Sequence, residues 1–203
     1  MSIEIKLSKK RISFKKAMNF LTKRVEDVKK GKNKELIWIL EHPKVYTAGI
    51  RFNENDIIDK KIKITKTNRG GKTTIHNPGQ KIIYFVLNLN KRKKDIRKLI
   101  SIVENSIIEF LNNYNIKANK DKKNIGIWVN NRKIAAIGLR VSRWIAYHGC
   151  SINVSNNLND YLKIVPCGLD NKKVTSIYQE KKIIPKKFDK ILANIFLKNI
   201  KKI

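Results

Sequence analysis

Cysteine, proline and acidic side chains are scarce in this chain, and each scarcity excludes something. Two cysteines, Cys150 and Cys167, are too few for a disulfide framework. Neither sits in a Cys-x-x-Cys spacing, so no local metal or redox pair is written and a reducing, cytoplasmic setting is expected. Four prolines and nine glycines leave no Pro/Gly-rich linker, and no internal repeat is visible. No apolar run approaches the roughly 18 residues that a spanning helix needs, so no membrane partner is expected. The opening MSIEIKLSKK is charged throughout and lacks the apolar centre of a secretory signal.

Acidic side chains number 16 against 46 basic ones, a formal net charge of +30. Such a field attracts polyanions: nucleic acid, anionic membrane or acidic proteins. Composition alone does not choose among them, and lysines spread along the whole chain also suit plain solvated faces. The chain lacks a recognised nucleic-acid motif or stacking aromatics at repeat spacing, so a nucleic-acid module rests on charge alone.

What is present is globular. The 203 residues are 41% hydrophobic, enough for one domain spanning 1–203 with its own core. Phe14, Ala17, Met18, Leu21, Val25 and Val28 recur at helical spacing, ending near Gly31. Leu36–Leu40 is a short apolar run that reads as a buried strand, Ile62 and Ile64 mark a second short strand, and Ile82–Leu89 is the strongest strand. Ile96 to Leu111 gives a second amphipathic helix. Residues 125–130, 133–141 and 144–154 read as three strands, with Asn130-Asn131 as a hairpin turn. A last helix carries Phe188 to Phe196. The expected fold class is α/β: a single domain with a mixed sheet flanked by helices.

Residues 69–80, RGGKTTIHNPGQ, concentrate glycine where the rest has little. The stretch precedes a strand and lacks both the GxGxxG and GxxxxGK[ST] spacings, so it is no Walker-type phosphate loop. Asn77-Pro78-Gly79 is turn chemistry. Arg69, Gly70, Gly71 and His76 exceed what a turn needs, and the residues leave open a structural turn or a ligand wall. Cys167, between Pro166 and Gly168, is the better candidate nucleophile of the two cysteines; Cys150, in an alternating strand, reads as a packed small hydrophobe. A nearby cation would stabilise the Cys167 thiolate. Lys133 opens the small, apolar strand 134–138; from spacing it can face a ligand or simply point to solvent from a hairpin.

Four blocks, LEHPKVYTAG (40–49), RGGKTTIHNPGQ (69–80), KIAAIGLRVSRWIAYHGCSINV (133–154) and IVPCGL followed by VTSI (164–169, 174–177), resemble the octanoyl-carrier-protein:protein octanoyltransferases of lipoate biosynthesis. The likeness runs from about residue 11 to 180. It implies the catalytic-domain fold of biotin and lipoate protein ligases, and transfer of octanoyl from acyl carrier protein to a lipoyl-domain lysine. By the same likeness Cys167 is the acyl-thioester nucleophile and Lys133 the lysine that lowers its pKa and shuttles protons. The implied substrate-binding residues are Arg69, Gly70, Gly71, Lys72, Thr73, Thr74, Ile75 and His76, then Ala136, Ile137 and Gly138, then Gly149, Cys150 and Ser151. No ATP, metal or other cofactor is implied. The implied partners are octanoyl-acyl carrier protein and the lipoyl domains of 2-oxoacid dehydrogenase subunits and the glycine-cleavage H protein. Asn77 stands where the family usually has glycine, and its tolerance of left-handed backbone would preserve the turn. Rival expectations are an ATP-dependent lipoate or biotin ligase on the same fold, and a related cysteine-dependent amidotransferase.

Overall fold

In the computed structural model, which describes residues 2–121, 124–165 and 173–203, ten strands and four α-helices are assigned among the described residues. Seven strands form one mixed sheet in the order β1-β2-β6-β10-β9-β8-β7. They are β1 (Ile3–Leu7), β2 (Glu35–Leu40), β6 (Gln80–Asn88), β7 (Asn119–Lys120), β8 (Ile127–Val129), β9 (Arg132–Ser142) and β10 (Ile145–Asn153). The β1–β2 pair is parallel and the other pairs are antiparallel. Both faces of the sheet centre are covered, which is why β2 and β6 read as unbroken apolar runs rather than alternating ones.

On one face Ile37, Ile39, Ile83, Phe85, Leu87 and Ile152 pack under α2 (Ile96–Asn112) and α4 (Phe188–Ile200). On the other, Leu36, Trp38, Leu40, Ile82 and Val86 pack under α1 (Phe14–Lys29), whose Ala17, Leu21 and Val28 repeat at helical spacing. Ser13 caps α1 and Asp95 caps α2, each accepting a backbone N–H from the first turn.

The Asn130-Asn131 turn forms as expected: both residues take left-handed backbone (φ 47° and 59°), the geometry of a two-residue hairpin loop. Arg143 and Trp144 make an equivalent turn between β9 and β10 with φ 48° and 63°, without the residues that normally announce it. The strand expected over 125–130 is shorter, Ile127–Val129, because Gly126 leaves the strand geometry with φ 143°.

A second, three-stranded sheet was not expected. It comprises β3 (Val45–Ala48), β4 (Ile64–Lys66) and β5 (Thr73–His76), and carries its own apolar cluster of Tyr46, Ile75, Tyr161 and Ile164. The turn at Asn77–Gln80 carries the chain from this sheet into β6. Gln80 N–H donates to the Asn77 carbonyl at 3.1 Å, and the positive φ falls on Gly79 (86°). Asn77 therefore does not substitute for glycine through left-handed backbone. Its side-chain amide instead donates to Asp160 (2.9 Å) and to the Asn157 carbonyl (2.8 Å).

Candidate functional site

The hollow in this molecule follows from two rows of small side chains across the large sheet. Pairing registers align Ile82, Ser151 and Ala136 in one row and Tyr84, Gly149 and Gly138 in the next. Missing side chains on β9 and β10 leave a slot beside Tyr84. α1 roofs the β2–β6 half of that face, and residues 69–76 roof the other half. The slot is the seam between them, and Phe14 at the start of α1 lines it.

Every residue of the expected binding set except Ile75 lines the slot: Arg69, Gly70, Gly71, Lys72, Thr73, Thr74 and His76; Ala136, Ile137 and Gly138; Gly149, Cys150 and Ser151. Strand alternation turns Ile75 the opposite way, into the small sheet's cluster with Tyr46 and Tyr161. The glycines admit protein backbone as well as shaping the slot. A Cβ on Gly70 would lie 2.8 Å from the Leu139 carbonyl of β9, and one on Gly149 would lie 1.9 Å from the Ile83 carbonyl. Arg69 donates to the Gly70 carbonyl (2.9 Å) and to the Thr47 carbonyl (2.8 Å), bracing the loop against β3.

Phe14, Ile82, Tyr84 and His148 also line the slot, and the sequence did not single them out. His148 takes φ 62° inside β10, a left-handed conformation rare for a side-chain-bearing residue. Ordinary alternation would place it with Ala146 and Cys150 toward α2 and α4. The local twist instead brings its ring against Tyr147 (centroids 5.0 Å) and Tyr84 (6.4 Å), with Nε2 2.6 Å from Asn68 Oδ1.

The chain's three histidines cluster around this seam. His42 Nε2 is 2.9 Å from the Tyr84 hydroxyl, and the His42 and His76 rings lie 5.7 Å apart. Burial lowers all three pKa values: His76 to about 3, with help from His42, His148 to about 4, with help from Arg69, and His42 below its ordinary value. At neutral pH they are uncharged rings in an apolar wall. Burial pushes the Cys150 thiol up, so it stays protonated and serves as packing.

Gln80 lies under His76. Its carbonyl oxygen is 2.7 Å from His76 Nδ1, while its amide donates to Asn153 (3.0 Å) and Tyr161 (2.9 Å). Because the amide end has those acceptors, the Gln80 oxygen must accept from His76 Nδ1–H, which fixes the histidine tautomer.

Lys133 is 7% exposed rather than pointing to solvent. Its Nζ lies 5.1 Å from the Trp128 ring centroid, and its stem crosses Gly126, where a Cβ would fall 2.4 Å from Lys133 Cε. It lines an open groove with Ile125, Arg51 and Arg140, and this groove shares Gly70, Gly71, Lys72, Ile137 and Gly138 with the slot. Slot and groove are thus adjacent hollows that share the Gly70–Lys72 and Ile137–Gly138 segments, with Lys133 lining the groove. Both peptide groups of Lys133 are bound by the chain beyond β10: Lys133 N–H donates to the Lys173 carbonyl and Thr175 N–H to the Lys133 carbonyl, each at 2.9 Å. Cys167 lies outside the described residues. The described chain before it is tied down at Val165, whose N–H donates to the Asp56 carbonyl at 2.8 Å.

Comparison with known proteins follows the same lines. Residues 14–197 match the family model for the lipoyl protein ligase A/B catalytic domain. An octanoyltransferase from Wolbachia sp. subsp. Brugia malayi is 42% identical, covering 97% of this chain and 98% of that one. Another from Ehrlichia chaffeensis is 40% identical over 95% and 97%. Among solved structures, lipoate-protein ligase A bound with ATP superposes with a TM-score of 0.72 at 12% identity, covering 98% of this chain and 85% of that one, a likeness of fold.

Proposed function

Because this chain belongs to the lipoyl protein ligase A/B catalytic-domain family, we propose that it is an octanoyltransferase. It moves an octanoyl group from octanoyl-acyl carrier protein to a lysine of lipoyl domains, on 2-oxoacid dehydrogenase subunits and the glycine-cleavage H protein, in the cytoplasm. The observation that carries the reading is an apolar slot, lined by neutral histidines and glycine backbone, that shares its Gly70–Lys72 and Ile137–Gly138 segments with the groove holding the buried Lys133.

In this reading the Cys167 thiolate, stabilised by the Lys133 ammonium, attacks the donor thioester carbonyl. The tetrahedral intermediate collapses and expels the carrier's thiolate, which takes a proton from Lys133. The acyl group is now a thioester on Cys167. The incoming lysine, as a neutral amine, attacks that carbonyl, gives its proton to Lys133 and expels the Cys167 thiolate. The thioester donor is already activated, so the scheme calls for no ATP and no metal. The acyl tail occupies the slot between Tyr84 and the 136–138 strand, at about 0.8 kcal/mol for each buried methylene. Thr73 Oγ1, fully buried and without a hydrogen-bond partner among the described residues, supports a hydrogen bond to the bound acyl group.

The test is a transfer assay with octanoyl-acyl carrier protein and an unmodified lipoyl domain, without nucleotide. Mass spectrometry should find octanoyl on the acceptor lysine. If transfer occurs only when a free acid and ATP are supplied, the chain is a ligase and this reading fails.

A further inference from the structure

β10 ends at Asn153, and residues 173–175 take over the edge of β9 at Lys133. Three residues held by two backbone hydrogen bonds make a weak strand position. The side-chain contacts of Thr175 supply the rest. Its hydroxyl donates to the Glu180 carboxylate, while Gln179 Oε1 stands farther off at 3.4 Å. Its carbonyl accepts from Asn153 Nδ2 at 3.0 Å. Glu180, on the short helix α3 (Ile177–Lys181), also pairs with Arg132 at 2.9 Å. Arg132 is the residue before Lys133. Four residues therefore close a ring: Lys133 to Thr175 through backbone, Thr175 to Glu180, Glu180 to Arg132, and Arg132 to Lys133 through one peptide bond. Thr175 is fully buried and Glu180 nearly so.

We propose that Glu180 is a positioning residue: by gripping Thr175 and Arg132 together it holds residues 173–175 against the Lys133 peptide groups, and so sets where the Lys133 amine stands. Glu180 lines neither the slot nor the groove, and acts only through this ring. The inference rests on the proposed role of Lys133. Of the two bonds, the one to Thr175 matters more, because Arg132 is one-third exposed and its ion pair is screened by solvent.

The experiment is a cycle of Glu180→Ala and Lys133→Ala, with Glu180→Gln and Thr175→Val beside it. Two rates are read: single-turnover octanoylation by octanoyl-acyl carrier protein, and iodoacetamide labelling of Cys167 against pH, followed by peptide mass. Glu180→Ala should slow octanoylation about 10²-fold, the cost of misplacing a catalytic group by roughly 1 Å, with the donor KM little changed. It should also move the Cys167 labelling profile toward the ordinary thiol value, about 8.5. Glu180→Gln, which keeps an acceptor for Thr175, should retain most of the rate. In the Lys133→Ala background Glu180→Ala should add less than about twofold. Full additivity of the two substitutions, or an unmoved labelling profile in Glu180→Ala, overturns the inference. If Glu180→Ala does not fold, Thr175→Val decides by the same two readouts. If Lys133→Ala itself octanoylates at the normal rate, it is the proposed function that fails; a slow Lys133→Ala beside a normal Glu180→Ala removes only the positioning role.

Discussion

The Lys133 amine rests on the face of the Trp128 indole, 5.1 Å from its centroid, with Gly126 beneath its stem. An ammonium over an indole face is stabilised by the ring's quadrupole, more so where water is excluded. A side chain is disfavoured here, because residue 126 has φ 143° and a Cβ would fall 2.8 Å from the Ala135 carbonyl as well as 2.4 Å from Lys133 Cε.

Lys133→Ala should slow both acylation and transfer by about 10²-fold or more, the usual contribution of a positioned acid–base group. Gly126→Ala should slow the same two steps by pushing the amine off Trp128, while the protein remains folded by circular dichroism. Single-turnover kinetics on each half-reaction check this. Normal rates in Gly126→Ala would show that the Lys133–Trp128 arrangement is immaterial.

The buried histidines set a pH dependence of stability. His76 and His148 titrate at about 3 and about 4 in the folded chain and near 6.5 when unfolded. Between those values the unfolded state binds more protons, so stability is complete above about pH 6.5 and declines as pH falls. Thermal unfolding from pH 7 to 5, above the carboxylate range, should show a falling midpoint, each histidine that stays neutral costing stability at a rate that steepens toward about 1.4 kcal/mol per pH unit below about pH 6. His148→Gln should flatten the slope. A midpoint constant over this range would contradict the neutral cluster.

If the acyl tail lies in the slot as proposed, the slot floor sets chain length. Ala136→Leu should fill the space beside Ile82 and Ser151 and favour shorter acyl donors. Each methylene excluded costs octanoyl binding about fourfold, from about 0.8 kcal/mol per group. Competition between hexanoyl and octanoyl carrier protein reads the change as a ratio of kcat/KM. An unchanged ratio would place the acyl tail elsewhere.

Much of this was legible in the sequence where periodicity is strong. α1, α2 and α4 and the strands β2, β6, β9 and β10 lie where their apolar spacing put them. Of the small sheet only β4 was legible, as the short strand expected at Ile62 and Ile64; β3 and β5 are four residues long, and Thr73–His76 is flanked by glycines that read as loop. β1 was also missed: Ile3-Glu4-Ile5-Lys6-Leu7 alternates, but five residues amid charge are a weak signal. The slot residues of the glycine-rich block were visible as types. That Gly138 and Gly149 face each other beside Tyr84 is a property of register, which no single strand encodes. His148 could not be found from spacing, because its left-handed φ breaks the alternation from which its face would be read.

The most direct test of the central claim is the intact mass of the chain after brief incubation with octanoyl-acyl carrier protein. The wild-type chain should gain one octanoyl group, released by hydroxylamine and prevented by iodoacetamide pretreatment, and Cys167→Ala should gain none. An equal octanoyl adduct on Cys167→Ala would contradict the account.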